Sequence, residues 1–147
     1  MALNQQLTGM FGVYLTAAEL TDRGFIVSPT SRSAIGADLL VTDQLCQRAW
    51  SVQVKTERVV GPSFWLNKHA KKMVSPSHVY VFVRIKGKER PTYYVVPSEH
   101  VGSHVDHYQA KTKKQSAFYT VKVAAVLAYK EKWDIFGDPA PQEETPP

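Results

Sequence analysis

Cysteine is nearly missing from this chain: Cys46 is alone among 147 residues. One thiol excludes an internal disulfide and fits a reducing cytoplasm. Cys46 falls in a short polar connection with no paired base in sequence, so it reads as a spare thiol rather than a nucleophile. Long apolar runs are missing too, which excludes a membrane-spanning helix. The opening residues Met1 to Gln6 offer neither a basic region nor an apolar segment, so no export signal is expected and a cytoplasmic location is. There is no internal repeat.

Acids are outnumbered, 13 against 18 lysines and arginines, for a formal charge of +5. Gly137 to Pro147 contain Asp138, Glu143 and Glu144 and no base, so the preceding 136 residues carry +8. That balance favours a polyanionic partner. The segment 137–147 is rich in proline as well as acidic and predicts a disordered tail. The remainder, 1–136, is long enough for a single domain with its own core.

Periodicity supplies the elements. Thr8 to Arg23 predicts a first helix with Gly24 past its end. At about 100° per residue, Met10, Val13, Tyr14, Ala17 and Ala18 share its inward face, and Glu19 falls opposite, toward water. Phe25-Ile26-Val27 predicts a strand stopped before Pro29. Phe64-Trp65-Leu66 is a short apolar segment expected to pack on a sheet. Val79 to Ile85 is the strongest strand signal, and Thr92 to Val96 returns as its hairpin partner. Phe118 to Val123 predicts an edge strand. A last helix, Ala124 to Phe136, is expected to place Val126, Tyr129, Trp133 and Phe136 on one stripe. The order predicts an α/β fold with a mixed central sheet flanked by helices.

Two stretches stand apart. Gly36-Ala37-Asp38-Leu39-Leu40-Val41 is an apolar run interrupted by one carboxylate. Ala49 to Thr56 alternates, so Ser51, Gln53 and Lys55 share one face and Trp50, Val52 and Val54 the other. The connection from Thr42 to Arg48 suits a hairpin. Antiparallel pairing brings Asp38 near Gln53 and Lys55, and an acid, an amide and an ammonium at adjoining strand ends suit a divalent metal together with a phosphate.

This spacing resembles the PD-(D/E)XK nuclease superfamily, which includes restriction enzymes, Holliday-junction resolvases and some homing endonucleases. Asp38 matches the first acid, and Gln53-Val54-Lys55 matches (D/E)XK with glutamine in place of the second acid. The family often carries a helix glutamate just after a glycine; here Gly12 is followed by Val13. The resemblance implies a restriction-endonuclease-like core. It further implies Mg²⁺ (or Mn²⁺) held by Asp38, Gln53 and the Val54 carbonyl, with Lys55 positioning water or stabilising charge on the phosphate.

Basic residues mark candidate phosphate contacts: Arg32 in a polar loop, Lys68, His69, Lys71 and Lys72 shortly after the Gln53-Val54-Lys55 strand, and Lys111, Lys113 and Lys114 further on. Each reads equally as a solvated surface charge, and His69 also as a general base. His100, His104 and His107 recur at helical spacing after Ser98 and Glu99, as zinc ligands or as exposed histidines. Two functions remain open. One is a Mg²⁺-dependent endonuclease acting on DNA. The other is a nuclease-fold protein that only binds DNA or a protein partner, with a homodimer possible in either case.

Overall fold

The computed structural model describes residues 2–31, 34–58, 60–112, 114 and 116–140, without the side chains of Ala2 and Leu3. Arg32, Lys113 and the tail residues 141–147 lie outside the described residues.

Helix α1 (Ala2–Asp22) opens the chain. It begins earlier than expected because no capping residue marks its start, and it ends as expected at Gly24, whose φ of +96° takes the left-handed conformation open to glycine. Its buried residues are Gly12, Val13, Thr16 and Leu20; Tyr14 and Ala18 are exposed, against the expected face. The cause is Gly12. A Cβ there would lie 1.7 Å from Thr56 Oγ1, so only glycine lets the helix approach the sheet along this stripe.

The strands are β1 (Ile26–Pro29), β2 (Leu39–Thr42), β3 (Ala49–Glu57), β4 (Ser63–Leu66), β5 (His78–Arg84), β6 (Thr92–Pro97), β7 (Val105–Tyr108) and β8 (Phe118–Lys122). The main sheet has order β1-β2-β3-β5-β6 and is mixed: β3 and β5 run parallel, the other neighbours antiparallel. Both expected hairpins are present, β2–β3 with Val41 opposite Trp50 and β5–β6 with Val81 opposite Val95. β4, β8 and β7 form a second, antiparallel sheet. The Phe118 segment is therefore its central strand, not an edge, and Phe64-Trp65-Leu66 is a strand in its own right.

Alternation in β3 sorts the layers. Trp50, Val52 and Val54 join Val13, Leu20 and Phe25 in a core between α1 and the main sheet. On the opposite face Tyr80, Phe82, Tyr94 and Val96 pack against Phe64, Leu66 and Val121 of the second sheet and Val101 of helix α2 (Ser98–Ser103). Helix α2 is shorter than the histidine spacing implied. His104 stands just past its end and His107 lies in β7, so the three histidines share no helical face.

The expected last helix is broken into α3 (Val123–Val126) and two 3-10 turns, Leu127–Tyr129 and Trp133–Phe136. Between them the chain crosses the edge of β6: the Glu131 N–H donates to the Tyr93 carbonyl at 2.8 Å, and Lys130 bridges to Tyr94. Val126 thereby enters one core and Trp133 and Phe136 the other, on opposite faces of the sheet.

Candidate active site

Asp38 immediately precedes β2, and both its main chain and its side chain bond to β3. The Asp38 N–H donates to the Val52 carbonyl at 2.8 Å. Its Oδ2 accepts from the Val54 N–H at 2.8 Å and from Gln53 Nε2 at 2.9 Å. Oδ1 has no hydrogen-bond partner among the described residues. Even-numbered residues of β3 thus turn their main-chain groups toward β2, whereas the Ser51 N–H donates to Ser77 on the other side. The N–H and C=O of one strand residue lie on the same edge. The Val54 carbonyl therefore faces the position past the start of β2, beside the Asp38 carboxylate.

Lys55 shares the strand face of Gln53. Burial pushes the Asp38 carboxyl above its ordinary value, opposed by the Val54 N–H and the Lys55 charge. Burial likewise pulls the Lys55 ammonium down, opposed by Asp38. Each feels the other's charge, so the acid and the lysine belong to one electrostatic unit in a partly desolvated place. Such mutual perturbation at a cleft marks candidate sites of chemistry.

Two clefts flank the unit. One, of about 310 Å³, lies between α1 and the sheet and is lined by Gln6, Gly9, Met10, Val13, Asp38, Gln53 and Val54. The other, of about 290 Å³, is bordered by Lys55, Thr56, Glu57, Trp65 and Asn67. Val13 is buried and walls the same cleft as Asp38. Glu19 does not reach it; that side chain is held by Arg23 at 2.6 Å and Arg90 at 2.8 Å. Gln6, one helical step before Gly9 and Met10, was hidden in the sequence by the late helix start. Its place at i, i+3, i+4 and i+7 with Gly9, Met10 and Val13 is the signal that finds it.

A divalent ion of the kind the sequence resemblance implies calls for hard oxygen donors. The Asp38 Oδ1, the Val54 carbonyl and the Gln53 amide oxygen are of that type, and one carboxylate suffices for an ion that keeps several waters. The residues present therefore fit Mg²⁺, with a single negative ligand. No group of three His, Cys, Asp or Glu side chains able to hold a metal occurs among the described residues, His100 and His104 included.

The basic segment after β4 is a run of turns rather than a helix. Lys72 borders a third cleft, of about 320 Å³, with Gly36, Ala37, Ser51 and His78, directly beside the chain leading into Asp38. Lys68 and Lys71 are exposed and His69 is half-buried. In the same cleft Ser51 Oγ lies 2.6 Å from His78 Nδ1, and burial holds the imidazole below its ordinary pKa with Ser51 opposing. Lys111 and Lys114 are exposed on the β7–β8 connection, at the far end of the second sheet.

The five-stranded mixed sheet, its flanking helices and the chain order define a restriction-endonuclease-like fold. Among solved structures the chain is similar to a bacterial homing endonuclease, I-Ssp6803I. The TM-score is 0.60 at 18% identity, over 92% of this chain and 93% of that one. It is also similar to the Holliday junction resolvase Hjc of the archaeal hyperthermophile Archaeoglobus fulgidus, with TM-score 0.49 at 9% identity over 80% and 86%. No protein-family model and no curated protein matches the chain. No helix among the described residues is long and apolar enough to cross a membrane.

Proposed function

We propose that the protein is a Mg²⁺- or Mn²⁺-dependent endonuclease that hydrolyses DNA phosphodiester bonds at Asp38, Gln53 and Lys55. The observation that carries this reading is the half-satisfied Asp38 carboxylate beside a desolvated lysine, at the mouth of two clefts. The fold is shared with a homing endonuclease, and the +8 charge of the first 136 residues suits DNA.

Asp38, Gln53 and the Val54 carbonyl would hold the ion, whose chemistry there is neutralisation of charge on the scissile phosphate. Gln53 orients the Asp38 carboxylate through its Nε2–H, which leaves Oδ1 as the carboxylate oxygen that would hold the ion. Lys55 donates to a non-bridging phosphate oxygen, where negative charge grows as the phosphodiester is attacked. Because burial already strains its ammonium, an approaching phosphate relieves that cost. Lys68, His69, Lys71, Lys72, Lys111 and Lys114 would supply the salt-sensitive part of binding.

The test is nicking of supercoiled plasmid with Mg²⁺ or Mn²⁺, beside Asp38→Ala and Lys55→Ala. Expected are metal-dependent nicks, none from Asp38→Ala, and fewer from Lys55→Ala. Val13 favours a second reading. An apolar side chain stands in the Asp38 cleft, and a single carboxylate makes for weak metal affinity in the absence of DNA. If DNA binds tightly but no form of it is cut with any divalent ion, the protein is a DNA binder on a nuclease fold.

A further inference from the structure

The outer face of the second sheet carries three large aromatic side chains that no core uses. Trp65, Phe118 and Tyr108 are 64%, 37% and 44% exposed. Their strands already bury the opposite face, through Phe64, Leu66 and Val121. The three rings form a column. Tyr108 stacks on Phe118 with centroids 4.8 Å apart and planes 16° from parallel, and Phe118 meets Trp65 at 5.0 Å. Tyr108 and Phe118 are direct cross-strand partners.

The column ends at the candidate active site. Trp65, on the outer strand β4, walls the cleft that holds Lys55. It also walls a neighbouring cleft of about 420 Å³ that contains Arg58 and Thr8. Arg58 makes no ion pair among the described residues; the adjacent Glu57 is taken by Arg84 at 2.6 Å. Lys111 flanks the other end of the column, beside Tyr108 and Phe118. A column of rings open at its Trp65 end, with cations at both ends, matches a strand whose unpaired bases continue the stack and whose phosphates run alongside. A paired duplex keeps its base faces stacked within itself and has none to offer Trp65.

We infer that Trp65, Phe118 and Tyr108 are a stacking platform for unpaired nucleobases, so that the DNA substrate carries a single-stranded segment next to the scissile phosphate. A base seated on Trp65 continues the ring column into the Lys55 cleft. This inference rests on the nuclease reading for its direction but has its own readout. Trp50 and Trp133 are 8% and 6% exposed, so Trp65 is the tryptophan that a ligand reaches.

The experiment titrates the full-length protein, without divalent ion, with an oligothymidylate of about 15 nucleotides and with a blunt duplex of the same length. Anisotropy and tryptophan emission are followed together. Expected is saturable quenching by the single strand, and little by the duplex. Trp65→Ala should weaken single-strand binding about tenfold, the cost of one lost base–aromatic stack, and duplex binding far less. Trp65→Phe should retain affinity and lose the quench. Phe118→Ala gives an independent second variant, and unchanged far-ultraviolet circular dichroism certifies the fold of each. Single-strand binding without quenching, or equal loss on both DNA forms, overturns the platform while leaving endonuclease action intact. So does a dimer in sedimentation that Trp65→Ala dissociates, which would make this face a contact between copies. Binding of neither DNA form sinks the nuclease reading itself.

Discussion

Strand β2 has an aspartate at each end, and the two live in opposite circumstances. Asp43, just past Thr42, is fully buried and fully engaged. Its Oδ1 accepts from the Leu45 and Gln47 N–H groups at 3.1 and 3.0 Å, and its Oδ2 accepts from the N–H and the Nε–H of Arg48, both at 3.2 Å. Burial pushes its carboxyl up, but the bonds from Gln47, Arg48 and Leu45 outweigh that and hold it below the ordinary value. Asp38 spends one oxygen on Val54 and Gln53 and keeps the other, and its carboxyl is raised. A saturated acid shapes a turn, here the one that closes the β2–β3 hairpin. A half-satisfied acid beside a buried lysine is left with capacity for a ligand.

The largest expected effect separates the two by function. Asp38→Ala should lower divalent-metal-dependent nicking by about a thousandfold, in line with the loss of a principal charge-stabilising group, while shifting Tm little. Asp43→Asn should do the reverse, lowering Tm by about 10 °C as charge-assisted bonds to a buried acceptor are lost. Reversal of this pattern in paired thermal melts and nicking assays would break the comparison.

A second measurement sharpens it through pH. Asp43 titrates lower folded than unfolded, so its contribution is fully present above the unfolded value near 3.9 and is lost as pH falls through the folded one. The Tm gap between wild type and Asp43→Asn should accordingly be wide at neutral pH and close in acid. A gap that widens in acid would contradict the depressed pKa.

The third asks whether the spare capacity of Asp38 reaches α1. Val13→Glu puts a carboxylate into the cleft shared with Asp38. Without metal it should destabilise the fold, since a buried charge lacks a partner. Mn²⁺ should then raise its Tm by several degrees more than it raises that of wild type. Val13→Glu with Asp38→Ala should lose the extra shift; an equal shift in all three proteins would mean that the two positions do not share an ion. The smallest effect is expected for Lys72→Ala, beside the chain entering Asp38 and remote from the Asp43 turn. The slope of log affinity against log salt should flatten by about one unit if Lys72 pairs with a phosphate. An unchanged slope would remove it from the interface.

Much of this was legible in sequence where contacts are local. The β2–β3 and β5–β6 hairpins, the faces of β3 and the meeting of Asp38 with Gln53 all follow from period-two alternation across short connections. The second sheet was not legible as a unit. β4 ends at residue 66 and pairs with β8, which starts at 118, and no short-range signal announces pairing across that span; β7 lies close to β8 but fell within the expected second helix. The histidine spacing suggested a longer α2 because a period of 3.6 does not reveal where a helix yields to β7. The stripe from Val126 to Phe136 was right about burial and wrong about continuity. Glu131, at φ +54°, takes a left-handed turn there, which sends the stripe's two halves to different faces.

That crossing over β6 has a bearing on synthesis. Phe25, near the start of the chain, closes an aromatic cluster with Trp50 and Phe136, at 5.9 and 5.6 Å. More than a hundred residues separate Phe25 from Phe136. On the ribosome, α1 and β1 emerge long before the aromatic ring that completes their core, and the other core waits on Val126. Loop closure over that span must precede its reward. Nascent chains arrested before residue 136 should therefore hold an open, protease-sensitive sheet, with native protection arriving as one late step when the final turn leaves the tunnel.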